Sequence, residues 1–333
     1  MQATVPCVVM YLLLAGSVGA QATVPSPLGN SSQDFGGIRT FLRAPHVSDL
    51  SRLDADIAIL GVPVDQGTSN RPGQRYGPRD IREASLIYAW APAEGFYYID
   101  TEQTVLKGVR WADLGDVDVV PSSMAQTSRN VTTAVAAIVR RGAFPVVLGG
   151  DHSIAFPVVR GLGVEPITVV HFDAHLDAYG DGDPDVLNHG GWVQQTSRLP
   201  GVRFVQIGMR GIANDAGGVA RARRLGSTIV TAERVHREGV RAVLASLPEL
   251  GTIYVSLDID VLDPSLAPGT GTLELGGLTF QQMNELLVGL PRKGRVIGLD
   301  VVEVNPFYDD TGVTAQTAVR LIIDLLGAVF RSR

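Results

Sequence analysis

A single cysteine, Cys7, stands among 333 residues. Without a second thiol the chain has neither an internal disulfide framework nor a thiolate metal site. Positive charge is in deficit: 28 Lys and Arg face 34 Asp and Glu, a formal net charge of −6. That leaves no basic footprint, and no nucleic-acid partner is expected. No run of about 18 uninterrupted apolar residues occurs, so neither a spanning helix nor a membrane partner is expected. A phosphate loop is missing too. The one candidate turn, Gly149-Gly150, lacks the P-loop lysine and the dinucleotide glycine spacing. Apolar material is plentiful: 45% of the residues are hydrophobic and 19% charged, enough for a large core in one big α/β domain or in two domains.

Basic residues are also missing from the start of the chain, where the first is Arg39. Val8 to Ala15 is apolar, and Val18-Gly19-Ala20 or Ala20-Gln21-Ala22 has the small residues of a cleavage site. The positive segment that opens a secretory signal is absent. The pentamer Gln-Ala-Thr-Val-Pro occurs twice, at 2–6 and 21–25. Residues 1–33 are therefore read as an appendage and 34–333 as the folded domain. A cytoplasmic location is expected, or secretion if residues 1–22 act as a signal.

The rest alternates between two periodicities. Strands are expected at 55–62, 109–114, 144–148, 167–171, 202–207, 228–230, 253–257 and 296–299. Helices are expected at 78–90, 122–141, 215–226, 232–247, 279–290 and 313–331. Pro78 suits a first helical turn and Gly142 a helix C-cap. Continuously apolar strands alternating with helices imply a three-layer α/β/α domain around a mostly parallel sheet.

Polar motifs follow the strands, at the edge where open parallel sheets bind ligands. Gly149-Gly150-Asp151-His152-Ser153 follows one strand, and its glycines suggest a tight turn that lifts His152 to the sheet top. Asp173, His175 and Asp177 follow the next, at i, i+2 and i+4, a spacing that puts all three on one face of an extended chain. Asp258 and Asp260 repeat that spacing, and Glu303 ends the last strand. A lone Asp at a strand end more often caps a turn. Jointly, two histidines and four aspartates are the inventory for two divalent ions bridged by carboxylates. Four carboxylates at ~4 Å would repel by several kcal/mol per pair at an effective dielectric of ~20. Without cations such a cluster must protonate or open. Carboxylate and imidazole without thiolate suit manganese better than a structural zinc.

Other polar residues have plainer readings. His171 shares the parity of Asp173 but lies deeper, as a core histidine does. His46 and His236 are expected at the surface. Asp151 and Asp263 are expected to orient turns, and Asp113 and Asp116 to shape a loop. Asp181-Gly182-Asp183-Pro184-Asp185 has the look of a calcium loop, but Val186 and Trp192 stand where Gly and Glu are required.

Gly-Gly-Asp-His-Ser, Phe-Asp-Ala-His-Leu-Asp and Ser-Leu-Asp-Ile-Asp-Val-Leu-Asp-Pro, in that order, resemble the three metal signatures of the ureohydrolase family, the arginases, agmatinases and relatives that release urea from guanidino compounds. The resemblance runs over roughly residues 35–330. Gly67-Thr68-Ser69-Asn70-Arg71-Pro72-Gly73 and Ala267-Pro268-Gly269-Thr270-Gly271-Thr272 are similar to the agmatinase-like branch. The resemblance implies an arginase-like fold with the metal site at the C-terminal strand ends, and two Mn2+ ions, with Ni2+ as the alternative. His152, Asp173, Asp177 and Asp258 would hold one ion. Asp173, His175, Asp258 and Asp260 would hold the other. Asp177 would also take a proton from the attacking water, Glu303 would bind the guanidinium, and His189 would pass a proton to the leaving amine. It further implies a small cationic guanidino substrate, agmatine first, and a homo-oligomer, trimeric or hexameric. Three aspartates at 181–185 would favour a cationic tail. Gly191 and Leu273 depart from the branch's pattern beside the substrate pocket, so guanidino acids, free guanidine and biosynthetic amidino compounds stay open as substrates. A ureohydrolase-shaped binding subunit without catalysis is the competing class.

Overall fold

All eight strands expected from the sequence form, in parallel, a single sheet. The computed structural model describes residues 36–180, 183 and 188–331. Its strands are β1 (Ile57–Val62), β2 (Phe96–Tyr98), β3 (Gln103–Val105), β4 (Trp111–Asp116), β5 (Phe144–Gly149), β6 (Ile167–Phe172), β7 (Val202–Met209), β8 (Thr228–Thr231), β9 (Gly251–Asp258) and β10 (Gly294–Val302). The sheet order is β4-β1-β5-β10-β9-β6-β7-β8, and β2 and β3 pair separately as an antiparallel hairpin. The helices are α1 (Gly77–Ser85), α2 (Ala91–Glu94), α3 (Met124–Arg140), α4 (Ala155–Leu162), α5 (Trp192–Thr196), α6 (Ala216–Arg224), α7 (Ala232–Glu238), α8 (Val240–Ser246), α9 (Phe280–Gly289) and α10 (Val313–Val329). The appendage expected over residues 1–33 lies outside the described residues. Among the described residues no helix is long and apolar enough to cross a membrane.

The period of two within each strand feeds two cores. Val170 and Phe172 of β6 enter one, while Ile167 and Val169 enter the other. Alternate side chains of a strand point to opposite faces. Each fully buried aliphatic side chain contributes about 1.5–3 kcal/mol, so a sheet covered on both faces is a rigid platform. Local chemistry sets the helix ends. Ser123 accepts from the Gln126 N–H to start α3, and Thr279 with Gln282 forms a capping box on α9.

Three expectations are corrected. The helix expected over 232–247 breaks at Gly239, whose φ of 81° no helix contains. The helix expected over 78–90 ends as α1 at Ser85 and passes into a single 3-10 turn. Asp113 lies on a strand and not in a loop: fully buried on β4, it accepts from the Gly115 N–H at 2.9 Å and is paired with Arg82, whose Nε reaches Oδ2 at 2.8 Å and whose second guanidine nitrogen reaches Oδ1 at 3.0 Å. That pair, with Asp116 at 2.7 Å from the same guanidinium, ties α1 to the sheet edge. A buried carboxylate is tolerated when its partner is this close and doubly bonded. The β2–β3 hairpin and α4 had no counterpart in the sequence reading.

Candidate metal centre

Four neighbouring central strands, β5, β10, β9 and β6, deliver the functional side chains at their C-terminal ends. His152 follows β5, Glu303 follows β10, Asp258 closes β9, and Asp173 follows β6. The glycines before His152 serve close approach rather than a left-handed turn. A Cβ on Gly150 would lie 1.7 Å from the Val64 carbonyl oxygen, and one on Gly149 would lie 2.5 Å from Val302. Neither has a positive φ. A substituent at either would push β5 away from its neighbours.

Asp173 to Asp177 is not an extended strand, because β6 stops at Phe172. The loop brings the three side chains together with Asp177 at φ 48°, a left-handed backbone that a non-glycine residue adopts at some cost. Asp260 likewise sits on a 3-10 turn, Ile259–Val261, rather than on β9. The convergence expected from a period of two is present, and irregular backbone produces it.

His152 Nδ1 lies 3.1 Å from Asp173 Oδ2, 3.1 Å from Asp177 Oδ2 and 3.2 Å from Asp258 Oδ2. His175 Nδ1 lies 3.3 Å from Asp173 Oδ1 and 3.0 Å from Asp260 Oδ2. Asp173 thus turns one oxygen to each imidazole, as a bridging carboxylate must. His152, His171, Asp173 and Asp177 form one group whose donor atoms all lie close together, and Asp173, His175 and Asp260 form a second.

The electrostatics of this cluster call for cations. Burial, then Asp260 and Asp173, push the Asp258 carboxyl well above its ordinary range. Burial and Asp173 raise Asp260 as well. Burial opposes charge on His152, yet hydrogen bonds to Asp173, Asp177 and Asp258 drive its pKa well up. One imidazole proton cannot satisfy three carboxylates at about equal distance. A divalent ion, which takes a lone pair from every ligand at once, can. The donor set therefore fits two such ions.

His171 is a core histidine with a further task. The Leu176 carbonyl only accepts, so the Gln206 atom 2.8 Å from it is the amide nitrogen. The same nitrogen gives its second hydrogen to His171 Nδ1 at 3.1 Å. His171 Nε2 must then carry the ring proton, which it donates to Asp173 Oδ2 at 2.7 Å. With one nitrogen accepting and the other donating, His171 has no lone pair left for a metal. His46 and His236 are exposed. Asp151 orients its turn, accepting from Gly67 N at 2.7 Å and Ser153 N at 3.0 Å. Asp263 accepts from Ser265 N at 3.1 Å and from Gly276 N and Gly277 N at 3.2 and 3.3 Å.

Three residues that the sequence reading missed hold the cluster. Trp192 stacks on His152, ring centroids 4.7 Å apart, and donates Nε1–H to Asp177 Oδ2 at 2.9 Å. Asn214 accepts from Leu176 N at 2.9 Å and donates to the Ala174 carbonyl at 2.9 Å, clamping the Asp173–Asp177 loop. Arg210 donates to the carbonyls of Asp260, Val261, Leu262 and Glu274. Their sequence signals are faint, since each acts on backbone or through a ring stack.

Glu303, at φ 65°, accepts from His152 N at 2.9 Å and from Gln74 Nε2 at 2.9 Å. His189 Nδ1 lies 3.1 Å from Glu303 Oε1. Ser69 holds the far side of that ring, its N–H 3.1 Å and its hydroxyl 2.8 Å from His189 Nε2. Burial opposes charge on His189, but Glu303 outweighs it and pushes the imidazole up to about 9. A cavity of about 290 Å3 opens onto these groups. Beyond Asp177, Asp258, Asp260 and Glu303 its described wall carries no further carboxylate, and offers Ser69, Tyr179, Asn188, Ala213 and Thr272.

The Arginase family model matches residues 55–327. The chain is 37% identical to guanidinopropionase of Pseudomonas aeruginosa, over 91% of this chain and 95% of that protein. It is 36% identical to guanidinobutyrase of the same organism, over 90% of this chain and 94% of that one. The solved structure of a hypothetical agmatinase from Burkholderia thailandensis aligns with a TM-score of 0.80 at 31% identity, covering 93% of this chain and 96% of that one.

Proposed function

The chain belongs to the arginase family and is a hydrolase of guanidino compounds, and from that premise we propose that it holds two manganese ions and cleaves a linear guanidino acid to urea and an amino acid. The observation that carries the metal part is Asp173, whose two oxygens face two imidazoles in a cluster short of cations. His152, Asp173, Asp177 and Asp258 would hold one ion, and Asp173, His175, Asp258 and Asp260 the other. Carboxylates outnumber imidazoles, which favours manganese, with nickel as the competitor. Two divalent ions there would lower the pKa of a coordinated water from 15.7 toward ~7, making a nucleophile at neutral pH.

The chain's own residues do the rest. Asp177, fixed by the Trp192 N–H, accepts the proton released from the water. Glu303 binds the guanidinium by charge-assisted hydrogen bonds and holds its carbon at the cluster. His189, bonded to Glu303 and Ser69, passes a proton to the departing amine.

Two features support an acid tail. The wall beyond the cluster offers hydroxyl and amide groups and, among its described residues, no carboxylate to attract a cationic tail. The relatives at 36–37% identity are named for guanidinobutyrate and guanidinopropionate hydrolysis. Agmatine is the second reading, favoured by the likeness to the hypothetical agmatinase of Burkholderia thailandensis at TM-score 0.80. Of the acidic run expected to favour its cationic tail, residues 181, 182, 184 and 185 lie outside the described residues. Urea release measured with 4-guanidinobutyrate, 3-guanidinopropionate and agmatine, after loading with Mn2+ or Ni2+, tests the reading. A higher kcat/KM for an acid is expected. A clear preference for agmatine overturns the tail assignment, and metal binding without turnover of any guanidino compound overturns the hydrolase.

Two substitutions probe the supporting residues. Trp192→Phe keeps a ring against His152 but deletes the bond to Asp177, and a loss of about 10-fold in kcat is expected. His189→Asn is expected to lower kcat on the order of 10²-fold. The donating form of His189 exists below its pKa, so activity falls as pH rises through it. Nearby divalent ions and the Ser69 N–H both disfavour the charged ring. The alkaline limb is therefore expected between ~6.5 and about 9, and absent from the Asn variant's pH–rate profile.

A further inference from the structure

One step below the cluster, a row of polar side chains crosses the sheet. The strand register sets Gln206 of β7 opposite His171 of β6, His171 opposite Ser256 of β9, and Ser256 opposite Asp300 of β10. All four are fully buried. The His171 end holds Asp173, as described above. The other end contains a carboxylate for which the reaction supplies no task.

The direction of each hydrogen bond at that end is fixed by what the groups can do. Asp300 Oδ1 accepts from the Leu257 N–H at 3.3 Å and from the Ser256 hydroxyl at 2.8 Å. Asp300 Oδ2 accepts from the Tyr254 hydroxyl. Ser256 has one proton, and it goes to Asp300. Its oxygen can then only accept from the remaining neighbour, His152 Nε2, at 2.9 Å. So Nε2 carries a hydrogen, and Nδ1, which faces Asp173, Asp177 and Asp258, is the atom whose lone pair a metal ion would take in place of a proton. A carboxylate three atoms removed thereby selects the tautomer and ring orientation that His152 needs as a ligand.

We propose that Ser256 and Asp300 are positioning residues that hold His152 as a metal ligand through the relay Asp300–Ser256–His152. The proposal rests on the two-metal reading of the site. A carboxylate or carbonyl partner behind a ligating histidine commonly carries 10–100-fold of metal affinity. Here a serine is interposed, so the carboxylate acts through a hydroxyl instead of touching the ring.

The test is titration of the metal-stripped full chain with Mn2+, reading the free ion by electron paramagnetic resonance, on wild type, Ser256→Ala, Asp300→Asn and Tyr254→Phe. Wild type is expected to bind two ions. Ser256→Ala is expected to bind one of them at least ~10-fold more weakly and the other as before. Asp300→Asn keeps an oxygen for Ser256 and is expected to fall between wild type and Ser256→Ala. Tyr254→Phe leaves the relay intact, and is expected to lose thermal stability while binding both ions normally. A wild type that binds no Mn2+ refutes the metal centre itself. Two ions bound by wild type and equally well by a folded Ser256→Ala overturn the relay alone. So does a Tyr254→Phe that weakens binding as much as Ser256→Ala, since general damage to the core then explains both. Should Ser256→Ala not fold, Asp300→Asn carries the test, and its binding both ions as wild type does overturns the relay.

Discussion

Asp173→Asn is expected to abolish urea release, by at least ~10⁴-fold, and to leave the protein without either metal ion. The change is one atom, but no orientation of the amide suits the site. Oδ2 accepts from His171 Nε2–H at 2.7 Å, and Oδ1 accepts from the backbone N–H of His175. An amide nitrogen on either side therefore meets a donor, at a cost of about 1–3 kcal/mol for the bond lost and the group left unpaired. The bridging charge disappears with it. Among the four carboxylates, Asp173 is the one whose two oxygens lie against both His152 and His175, so both proposed ions would lose a ligand at once. Water free of the ions keeps a pKa near 15.7 instead of ~7, and that gap sets the size of the activity loss. Elemental analysis of the purified variant, beside its urea-release rate, checks the result. A variant that keeps two ions per chain, or turns over within 10-fold of wild type, would contradict it.

Metal stripping of the wild type makes the same point through stability. Ions that bind only the folded state stabilise it by mass action, about 2.7 kcal/mol at a free concentration 100 times Kd. A chelator should lower the melting temperature of wild type and leave Asp173→Asn nearly unmoved.

How much of this was legible in the sequence depends on what each residue contacts. The eight parallel strands were, because a strand covered on both faces is written as an unbroken apolar run, as in Val169-Val170 or Val146-Val147-Leu148. The gathering of six acid and imidazole side chains at one sheet edge was legible too, because carboxylates and imidazoles after such runs are costly to bury without a cation. The means of their convergence were not. Asp177 and Glu303 reach the cluster from left-handed backbone, and nothing in their side chains announces that. Trp192, Asn214 and Arg210 were missed because a tryptophan reads as core, and residues that bond to carbonyls and amides leave no periodic trace. His171 is a core histidine, as its depth in the strand predicts. Its bond to Asp173 depends on Gln206, a strand away and 35 residues on, a pairing only the register of β6 and β7 creates. The break at Gly239 was hidden by apolar spacing that continues across it into α8.

Glu303→Gln is expected to separate binding of the guanidinium from binding of the metals, which makes it the counterpart of Asp173→Asn. Every described neighbour of the Glu303 carboxylate is a donor: His152 N at 2.9 Å and His189 Nδ1 at 3.1 Å on Oε1, and Gln74 Nε2 at 2.9 Å on Oε2. Gln74 cannot turn over to accept, because the same nitrogen is committed to the Arg71 carbonyl at 3.0 Å. The amide of the variant will therefore keep its oxygen toward His152 and set its nitrogen against Gln74, so that the chain folds with a modest loss of about 1–3 kcal/mol. A guanidinium then meets a neutral group. Two charge-assisted bonds of about 2 kcal/mol each are forfeited, together about 4 kcal/mol, or roughly 10³-fold in kcat/KM. The His189 ring also loses the negative charge that lifts it to about 9, so the alkaline limb of the pH–rate profile should move to lower pH. Both ions should remain, since Glu303 lies outside the proposed ligand set. Metal content unchanged with kcat/KM down by about 10³ is the expected pair of results. A fall smaller than 10-fold would remove Glu303 from guanidinium binding, and loss of an ion would move it into the metal centre.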